Sequence, residues 1–396
     1  MTAYSVDRRG FVGGLAAGAL LGAGSARAAV PALPKSPVAL NIIDVGGALA
    51  LLQAGFEAYR AAKPELVSKI TFVKAPAPEL AGKIKAQQSA GRVDIDLVLT
   101  GTDGLAAGIE QGLWIELLPK YADKFGNLEG KYLEGAAKMQ KLAENKGITV
   151  AYYPSGPLLE YMPEKVKQPP LTAEELLAWC KANPNRFMYA RPANSGPGRT
   201  FVMGLPYILG DKDPKDPEKG WDKTWAYLKQ LGECIEYYPS GTGATMKELG
   251  EGSRDMITST TGWDINPRVL GTVPKEARVA TLKGFHWVTD AHYMVVPKGV
   301  SDEHLAVVLD LMAYLLTPEA QAYTYDEGYF YPGPAVKDVP LSMAPRESQE
   351  AIKEFGRPEY AQMIAGAPLE TPLDAKGQVA AFKKWDQEVG GAKVKK

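Results

Sequence analysis

The amino-acid sequence predicts an α/β fold with two lobes, each a mostly parallel sheet flanked by helices, joined by a hinge that the chain crosses twice. Two observations predict it. Short apolar, β-rich segments alternate with helical segments in two successive runs, which is typical of parallel sheets covered by helices. After the second run the sequence is mainly helical, so we expect this last part to pack against the first run rather than to form a third domain.

The expected lobe boundaries follow from where this alternation pauses, near residues 149–153 and again near residues 287–291. Lobe 1 is therefore expected to comprise residues 36–149 and 291–396, and lobe 2 residues 150–290. Two crossings between lobes are what a hinge motion needs. The chain has 396 residues, which is enough for two hydrophobic cores.

The first run supplies three predicted strands, each followed by a helix. Apolar residues that favour strands cluster at residues 38–43, 70–73 and 94–99. Helical spacing of apolar residues follows the first strand and ends near Pro64, and further helices are expected at residues 78–90 and after residue 100.

The second run begins with a helix that extends through Cys180. Thr172 is its predicted N-cap, and Glu175 completes a capping box three residues later. Strands are then expected at residues 186–190, 234–237 and 255–259, with a helix at residues 244–249. In the last part of the chain we expect a strand at residues 291–297 and helices at residues 303–316 and 318–327.

Residues 1–28 are expected to be an export signal of the twin-arginine type. Arg8 and Arg9 precede a run rich in Ala, Leu and Gly, and residues 25–28 offer an Ala-x-Ala cleavage site. The apolar run is shorter than the roughly 20 residues that span a bilayer. A general secretory signal and an uncleaved anchor are the alternatives. We expect a periplasmic protein.

The composition excludes several classes of function. The formal net charge is -1, with no basic stripe for nucleic acid or anionic lipid. The three histidines include no pair at metal-binding spacing with a glutamate, so no metal site is expected. Cys180 and Cys234 are expected to be two buried thiols, and a disulfide between them stays the alternative.

Enzyme motifs are also missing from the sequence. Residues 195–198 and 240–243 are rich in Gly and Ser, but neither segment completes a dinucleotide-binding motif or a P-loop. No Gly-x-Ser-x-Gly nucleophile motif is present. We therefore expect no catalytic residues and no cofactor.

Small polar residues follow directly after the predicted strands. In an open parallel sheet, ligands bind outside the carboxyl ends of the strands, and each loop here also begins a helix whose free N–H groups attract a polar or anionic group. Arg199 can hold a carboxylate, phosphonate or sulfonate with two hydrogen bonds; a surface ion pair is its alternative role. The candidate ligand-binding residues in these loops are Asp44, Gly46, Thr100, Asp103, Ser195, Arg199, Ser240, Gly241 and Thr242.

Aromatic residues and carboxylates near the crossings give a second indication. Aromatic faces accompanied by carboxylates suit an ammonium group, although ordinary core packing is the alternative for each aromatic residue. A zwitterion or an amine-bearing anion would satisfy both indications. The candidates of this second set are Tyr153, Trp263, Asp264, Trp287, Asp290 and Tyr329.

Several motifs in order along the chain resemble those of a known family. They lie at residues 44–47, 94–101, 112–114, 171–179, 240–243, 316–321 and 328–332. In these motifs the sequence resembles the extracellular solute-binding proteins of ABC importers, of the type II periplasmic-binding fold, near the polyamine-, ferric-ion- and thiamine-binding group.

The resemblance implies that two lobes close on a ligand and that the closed form docks to a membrane permease. We expect a monomer that captures a small polar solute, anion-bearing or zwitterionic, without a nucleic-acid partner. An exported enzyme on the same fold and a polyamine- or cation-binding receptor are the alternatives. Adjacent tyrosines bind iron in ferric binders, but Tyr237 and Tyr238 have no evident further ligand set.

Overall fold

The computed structural model describes residues 29–75 and 77–395. The predicted export signal lies outside the described residues. The fold is mixed α/β, as predicted. No single helix in the described part of the chain has the length and hydropathy needed to span a bilayer; the segments Asp302–Tyr314 and Pro318–Tyr325 pass that test only as a pair, bent by 69°.

Six of the seven predicted strands are present, and the described chain also forms strands that the sequence analysis did not predict. In chain order the strands are β1 (Val38–Asp44), β2 (Val67–Lys74), β3 (Leu97–Thr100), β4 (Gly147–Gly156), β5 (Leu158–Tyr161), β6 (Phe187–Met188), β7 (Tyr238–Pro239), β8 (Met256–Ser259), β9 (Arg278–Ala280), β10 (Trp287–Val295), β11 (Gly333–Pro334), β12 (Leu369–Glu370) and β13 (Val394–Lys395).

The helices occupy most of the remaining chain, with short 3-10 turns at Pro192–Asn194, Tyr323–Tyr325, Leu341–Met343 and Gly391–Lys393. In chain order they are α1 (Ala48–Ala62), α2 (Ala77–Ser89), α3 (Thr102–Glu110), α4 (Ala122–Phe125), α5 (Leu128–Lys131), α6 (Glu134–Leu142), α7 (Ala173–Ala182), α8 (Gly196–Leu209), α9 (Asp222–Glu233), α10 (Thr242–Gly250), α11 (Asn266–Val269), α12 (Asp302–Tyr314), α13 (Pro318–Ala322), α14 (Arg346–Phe355), α15 (Tyr360–Ala365) and α16 (Ala375–Glu388).

Two sheets form the framework of the molecule. The first has the order β11-β4-β10-β3-β1-β2, with β12 also paired to β10. Strands β1, β2 and β3 are parallel, whereas β10 runs antiparallel to both β3 and β4. The chain leaves this sheet on β4 and returns on β10, so these neighbouring strands run in opposite directions.

The second sheet has the order β6-β8-β5-β9. The pair β6–β8 is parallel, as predicted, while β5 is antiparallel to both of its neighbours. Strand β5 follows β4 after a single residue, Pro157. The chain therefore enters the second sheet almost directly from the first.

Each sheet has its own hydrophobic core. Around the first sheet, Leu40, Phe56 and Trp114 belong to one buried cluster. Around the second, Tyr189 and Phe201 belong to another. The division of the buried residues supports the prediction of two lobes, whose boundaries stay a prediction.

The end of the chain contacts the second core as well as the first. The sequence prediction placed residues 291–396 against the first sheet. Trp385 on α16 is fully buried in the second cluster, where its indole N–H donates to the Tyr189 hydroxyl at 3.0 Å. Residues Val394 and Lys395 pair with β7. The sequence analysis did not predict these contacts with the second core, which are stabilised by burial of a large aromatic side chain.

The structure tests three local predictions. The Thr172 hydroxyl caps α7 by accepting from the Glu175 N–H at 3.1 Å, and the Glu175 carboxylate accepts from the Leu171 N–H at 2.8 Å. The strand expected at residues 234–237 is wrong in position. Cys234 instead ends α9, and the strand begins at Tyr238 because the chain terminus supplies its partner. Cys180 and Cys234 are free, buried thiols.

Candidate ligand-binding site

A cavity of about 150 Å³ lies where the loops after β1, β3, β6, β7 and β8 converge. Pockets for drug-sized ligands have volumes of roughly 300–1,000 Å³, so this one suits a small solute. The lining residues are Gly46, Gly101, Asp103, Tyr153, Asn194, Ser195, Gly196, Arg199, Thr242, Gly243, Trp263, His292, Tyr329 and Phe330.

Helix starts surround this cavity. Helices α3, α8 and α10 begin at residues that line it or adjoin its lining. The Ser195 hydroxyl caps α8 by accepting from the Gly198 N–H at 3.1 Å, and it also bonds the Thr242 hydroxyl at 2.7 Å. The cap position of α10 is Gly241, which has no side chain to bond the first N–H groups of that helix. These N–H groups and the positive ends of the helices favour a polar or anionic ligand.

Arg199, in the first turn of α8, is buried between two carboxylates. Its Nη2 donates to Asp290 Oδ2, and its Nη1 lies 3.2 Å from Asp103 Oδ2. Burial by itself would lower the pKa of the guanidinium, but the two carboxylates outweigh burial and raise it. Arg199 is only 4 % exposed, so its ion pairs are buried and do not lie on the surface.

Both oxygens of the Asp290 carboxylate accept hydrogen bonds. Its Oδ1 accepts from the Thr102 hydroxyl at 3.2 Å and from the Ala291 N–H at 2.9 Å. Its Oδ2 accepts from the Tyr153 hydroxyl at 3.0 Å and from Arg199. Asp290 therefore fixes Arg199 from beneath the cavity rather than lining it.

His292 is a cavity residue that the sequence prediction did not include. It lies two residues after Asp290 on β10 and stacks on the Phe330 ring with centroids 4.6 Å apart. Burial, helped by the nearby Arg199 charge and opposed by Asp290, lowers its pKa to about 4. His292 is consequently neutral at neutral pH and offers hydrogen-bonding atoms without charge.

Aromatic side chains form one wall of the cavity. Tyr153 stacks on Phe330 with ring centroids 4.6 Å apart, and Tyr329 contacts both Phe330 (4.4 Å) and Trp263 (5.1 Å). The backbone before Trp263 approaches closely too: a Cβ atom on Gly262, whose φ is +94°, would lie 2.6 Å from the Tyr329 carbonyl oxygen. Trp263, which follows β8, is thereby held against the loop that carries Tyr329.

The family follows from comparison of the whole sequence with known families. The model of the family described as bacterial extracellular solute-binding protein matches residues 56–354. The chain belongs to this family. No curated protein sequence matches the chain.

Solved structures of this solute-binding class share the fold. A periplasmic thiamin binding protein has a TM-score of 0.63 and 14% identity, covering 91% of this chain and 99% of its own. A putative spermidine/putrescine ABC transporter protein from Listeria monocytogenes gives 0.59 and 13%, covering 87% and 97%. The apo ferric ion-binding protein A of Pasteurella haemolytica gives 0.59 and 14%, covering 88% and 97%. The resemblance to the polyamine, ferric-ion and thiamine group is thus confirmed at the level of fold.

In this solute-binding protein, most of the predicted binding residues meet at the cavity. Those lining it are Gly46, Asp103, Tyr153, Ser195, Arg199, Thr242, Trp263 and Tyr329. Asp290 contacts Arg199 just beneath it. Gly241 precedes α10, and the Ser240 carbonyl accepts from the Asn194 side chain at 2.9 Å.

Seven predicted residues are outside the cavity lining: Asp290, Ser240 and Gly241, described above, and Asp44, Thr100, Asp264 and Trp287. The Asp44 carboxylate accepts from the Leu49 N–H in the first turn of α1 at 3.1 Å, and Thr100 is fully buried. Asp264 is buried among Arg268, Arg357 and Tyr360, which all bond its carboxylate. The Trp287 indole N–H donates to the Met363 carbonyl at 3.1 Å. These side chains support the walls of the fold rather than the cavity.

The lining also includes residues that the sequence analysis missed. Most of them are neighbours of predicted residues in the same loops, and Phe330 directly follows Tyr329. For His292 the available signal was alternation along β10, which places it on the same side as Asp290. The missed lining residues are Gly101, Asn194, Gly196, Gly243, His292 and Phe330.

Proposed function

We propose that this protein is the solute-binding component of an ABC importer. In this proposal it captures a small polar organic solute, anion-bearing or zwitterionic, in the cavity and delivers it to a membrane permease. The observation that carries the proposal is the buried Arg199 with its two carboxylates, placed among three helix starts at the edge where five strands end. Membership of the extracellular family and the predicted export signal support a periplasmic location.

The hydrogen bonds of the cavity hydroxyls favour capture over catalysis. A nucleophilic serine needs a general base within hydrogen-bond reach. The Ser195 hydroxyl instead bonds the Thr242 hydroxyl and the Gly198 N–H, and neither is a base. The described cavity therefore supports reversible binding without turnover.

A cation-binding receptor is the second candidate function. Asp103 and Asp290 together carry one more charge than Arg199, so the side chains alone would favour an ammonium group. The positive ends of three helices, each equivalent to about half a charge, offset this excess. We therefore rank a solute that carries an anionic group first.

A thermal-shift screen tests the proposal. Organic anions, amino acids, polyamines and thiamine-like compounds would each be added to the purified protein. A true ligand should raise the melting temperature progressively with its concentration, and the stabilisation amounts to about 2.7 kcal/mol at 100 times Kd. Mass spectrometry should recover the ligand unchanged. Conversion of the ligand, or no shift and no calorimetric binding with any compound, would count against the proposal.

A further inference from the structure

The two carboxylates around Arg199 differ in how many acceptor positions they have left. The four contacts of Asp290, from Thr102, Ala291, Tyr153 and Arg199, occupy both of its oxygens. Asp290 is also only 1 % exposed. It is therefore a positioning residue that orients the guanidinium and has no acceptor position left for a ligand.

Asp103 is different because one of its oxygens is only partly used. Its Oδ1 accepts from the Gly104 N–H at 2.8 Å. Its Oδ2 lies 3.2 Å from Arg199 Nη1, yet this nitrogen is buried and makes no hydrogen bond within the described residues. Asp103 and Arg199 both line the cavity. A buried charged donor that has an ion-pair partner but no aligned hydrogen bond is under-satisfied, so an acceptor supplied by a ligand would be stabilising here.

The opposite charges of Asp103 and Arg199 restrict which ligands can bind. An anion without an amine would meet the Arg199 guanidinium but would be repelled by Asp103. A cation without an anionic group would meet Asp103 but would be repelled by Arg199 and by the positive helix ends. His292 adds no charge, since burial keeps it neutral. A molecule that carries both charges avoids both repulsions.

We propose that Asp103 makes the cavity selective for a small zwitterion, whose ammonium group binds Asp103 Oδ2 while its anionic group binds Arg199 Nη1 beside the start of α8. This inference rests on the proposed function, since it concerns the ligand of the same cavity. The two atoms are 3.2 Å apart, so the opposite charges of the ligand must lie close together. A cavity of about 150 Å³ also favours a short molecule, and the aromatic wall offers ring faces to the ammonium group.

Calorimetry with matched pairs of compounds tests this inference. Each pair differs only in the amine: glycine and acetate, β-alanine and propionate, taurine and ethanesulfonate, 2-aminoethylphosphonate and ethylphosphonate. The wild-type protein should bind the amine-bearing member of at least one pair about tenfold more tightly or better, which corresponds to ~1.4 kcal/mol. Asp103→Asn keeps the acceptor for Gly104 but removes the charge. It should weaken binding of the amine-bearing member and abolish the preference.

Matched controls separate selectivity from folding. Asp310→Asn makes the same change at a partly buried carboxylate outside the cavity, where Asp310 pairs with Lys63 and Lys124. It should leave the preference unchanged. The wild-type comparison of each pair stands without any variant, so the inference remains open to refutation even if Asp103→Asn does not fold.

Several results would overturn the inference. They are equal or tighter binding of an amine-free partner by the wild type, a preference that survives in Asp103→Asn, or binding of another solute class with no zwitterion bound. The last result would leave the solute-binding function standing. Only a failure of every compound to bind would remove both proposals together.

Discussion

Replacement of Arg199 by glutamine isolates the electrostatic centre of the cavity. The variant leaves Asp290, 1 % exposed, and Asp103, with an 11 % exposed side chain, without their shared cation. Removing one member of a buried ion pair costs about 3–5 kcal/mol, because the remaining charge stays buried and unpaired. We expect Arg199→Gln to lower the free energy of unfolding by an amount in this range at neutral pH.

The loss should depend on pH in a defined direction. Burial already raises the pKa of Asp103 in the presence of Arg199, and removal of the guanidinium raises the pKa of this carboxyl further. A carboxyl whose folded pKa exceeds its unfolded value of about 3.9 destabilises the folded state increasingly as pH rises through the folded pKa. The deficit of Arg199→Gln relative to wild type should therefore be larger at pH 8 than at pH 5.

A second substitution should restore part of the loss. Asp290→Asn in the Arg199→Gln background removes one unpaired charge and keeps the one oxygen that accepts from both Thr102 and Ala291. We expect the double variant to be more stable than Arg199→Gln, since the two sites are coupled. Urea unfolding followed by tryptophan fluorescence at both pH values measures this. The control is Arg346→Gln, because the Arg346 side chain is 87 % exposed and pairs with Glu350; it should cost less than about 1 kcal/mol. Equal deficits at pH 5 and pH 8, or strictly additive losses, would refute the reasoning.

Three further predictions concern other parts of the structure. Gly262→Ala should destabilise the protein by about 1–3 kcal/mol and lower its melting temperature, because φ is positive there and a Cβ would meet the Tyr329 backbone. Gly82→Ala in α2 is the control: the space around its Cβ is open, and its melting temperature should show no such loss. The pKa of His292 in the folded protein is about 4, so the free energy of unfolding should fall by about 3 kcal/mol as pH decreases from about 6.5 to 4. Acid unfolding of His292→Gln should show a shallower fall. An identical profile in the two proteins would contradict the assigned pKa. Cys180 and Cys234 should react with a thiol reagent only after unfolding, and the melting temperature should not change with reductant; a reductant-dependent melting temperature would indicate a disulfide instead.

The elements of the fold were largely predictable because their signals are local. The alternation of apolar periodicities gave β1 to β3 and the helices between them, and Thr172 marked the start of α7 through its capping chemistry. Pairing between distant strands has no such signal. Strand β7 pairs with residues more than 150 positions away, and the antiparallel direction of β10 depends on where the chain returns to the first sheet.

The candidate site was predictable only in position. Loops at the carboxyl ends of strands met as expected, which brought Arg199, Asp103 and Trp263 together. Side-chain direction within a loop was not predictable from spacing. Asp264 directly follows Trp263, yet it points into a buried cluster with Arg357. His292 was missed because alternation along β10 indicates only which side of the strand it faces, and its importance depends on the neighbours that the fold supplies.

The most direct test of the central claim, capture of a solute in this cavity, is titration calorimetry with the compound that gives the largest thermal shift. Wild type and Arg199→Lys would be compared, because lysine keeps the charge and loses the two-pronged geometry of the guanidinium. The account predicts one binding site per chain and at least about tenfold weaker binding in the variant, equivalent to ~1.4 kcal/mol. Equal affinity in the two proteins would contradict it, since the ligand would then bind away from Arg199.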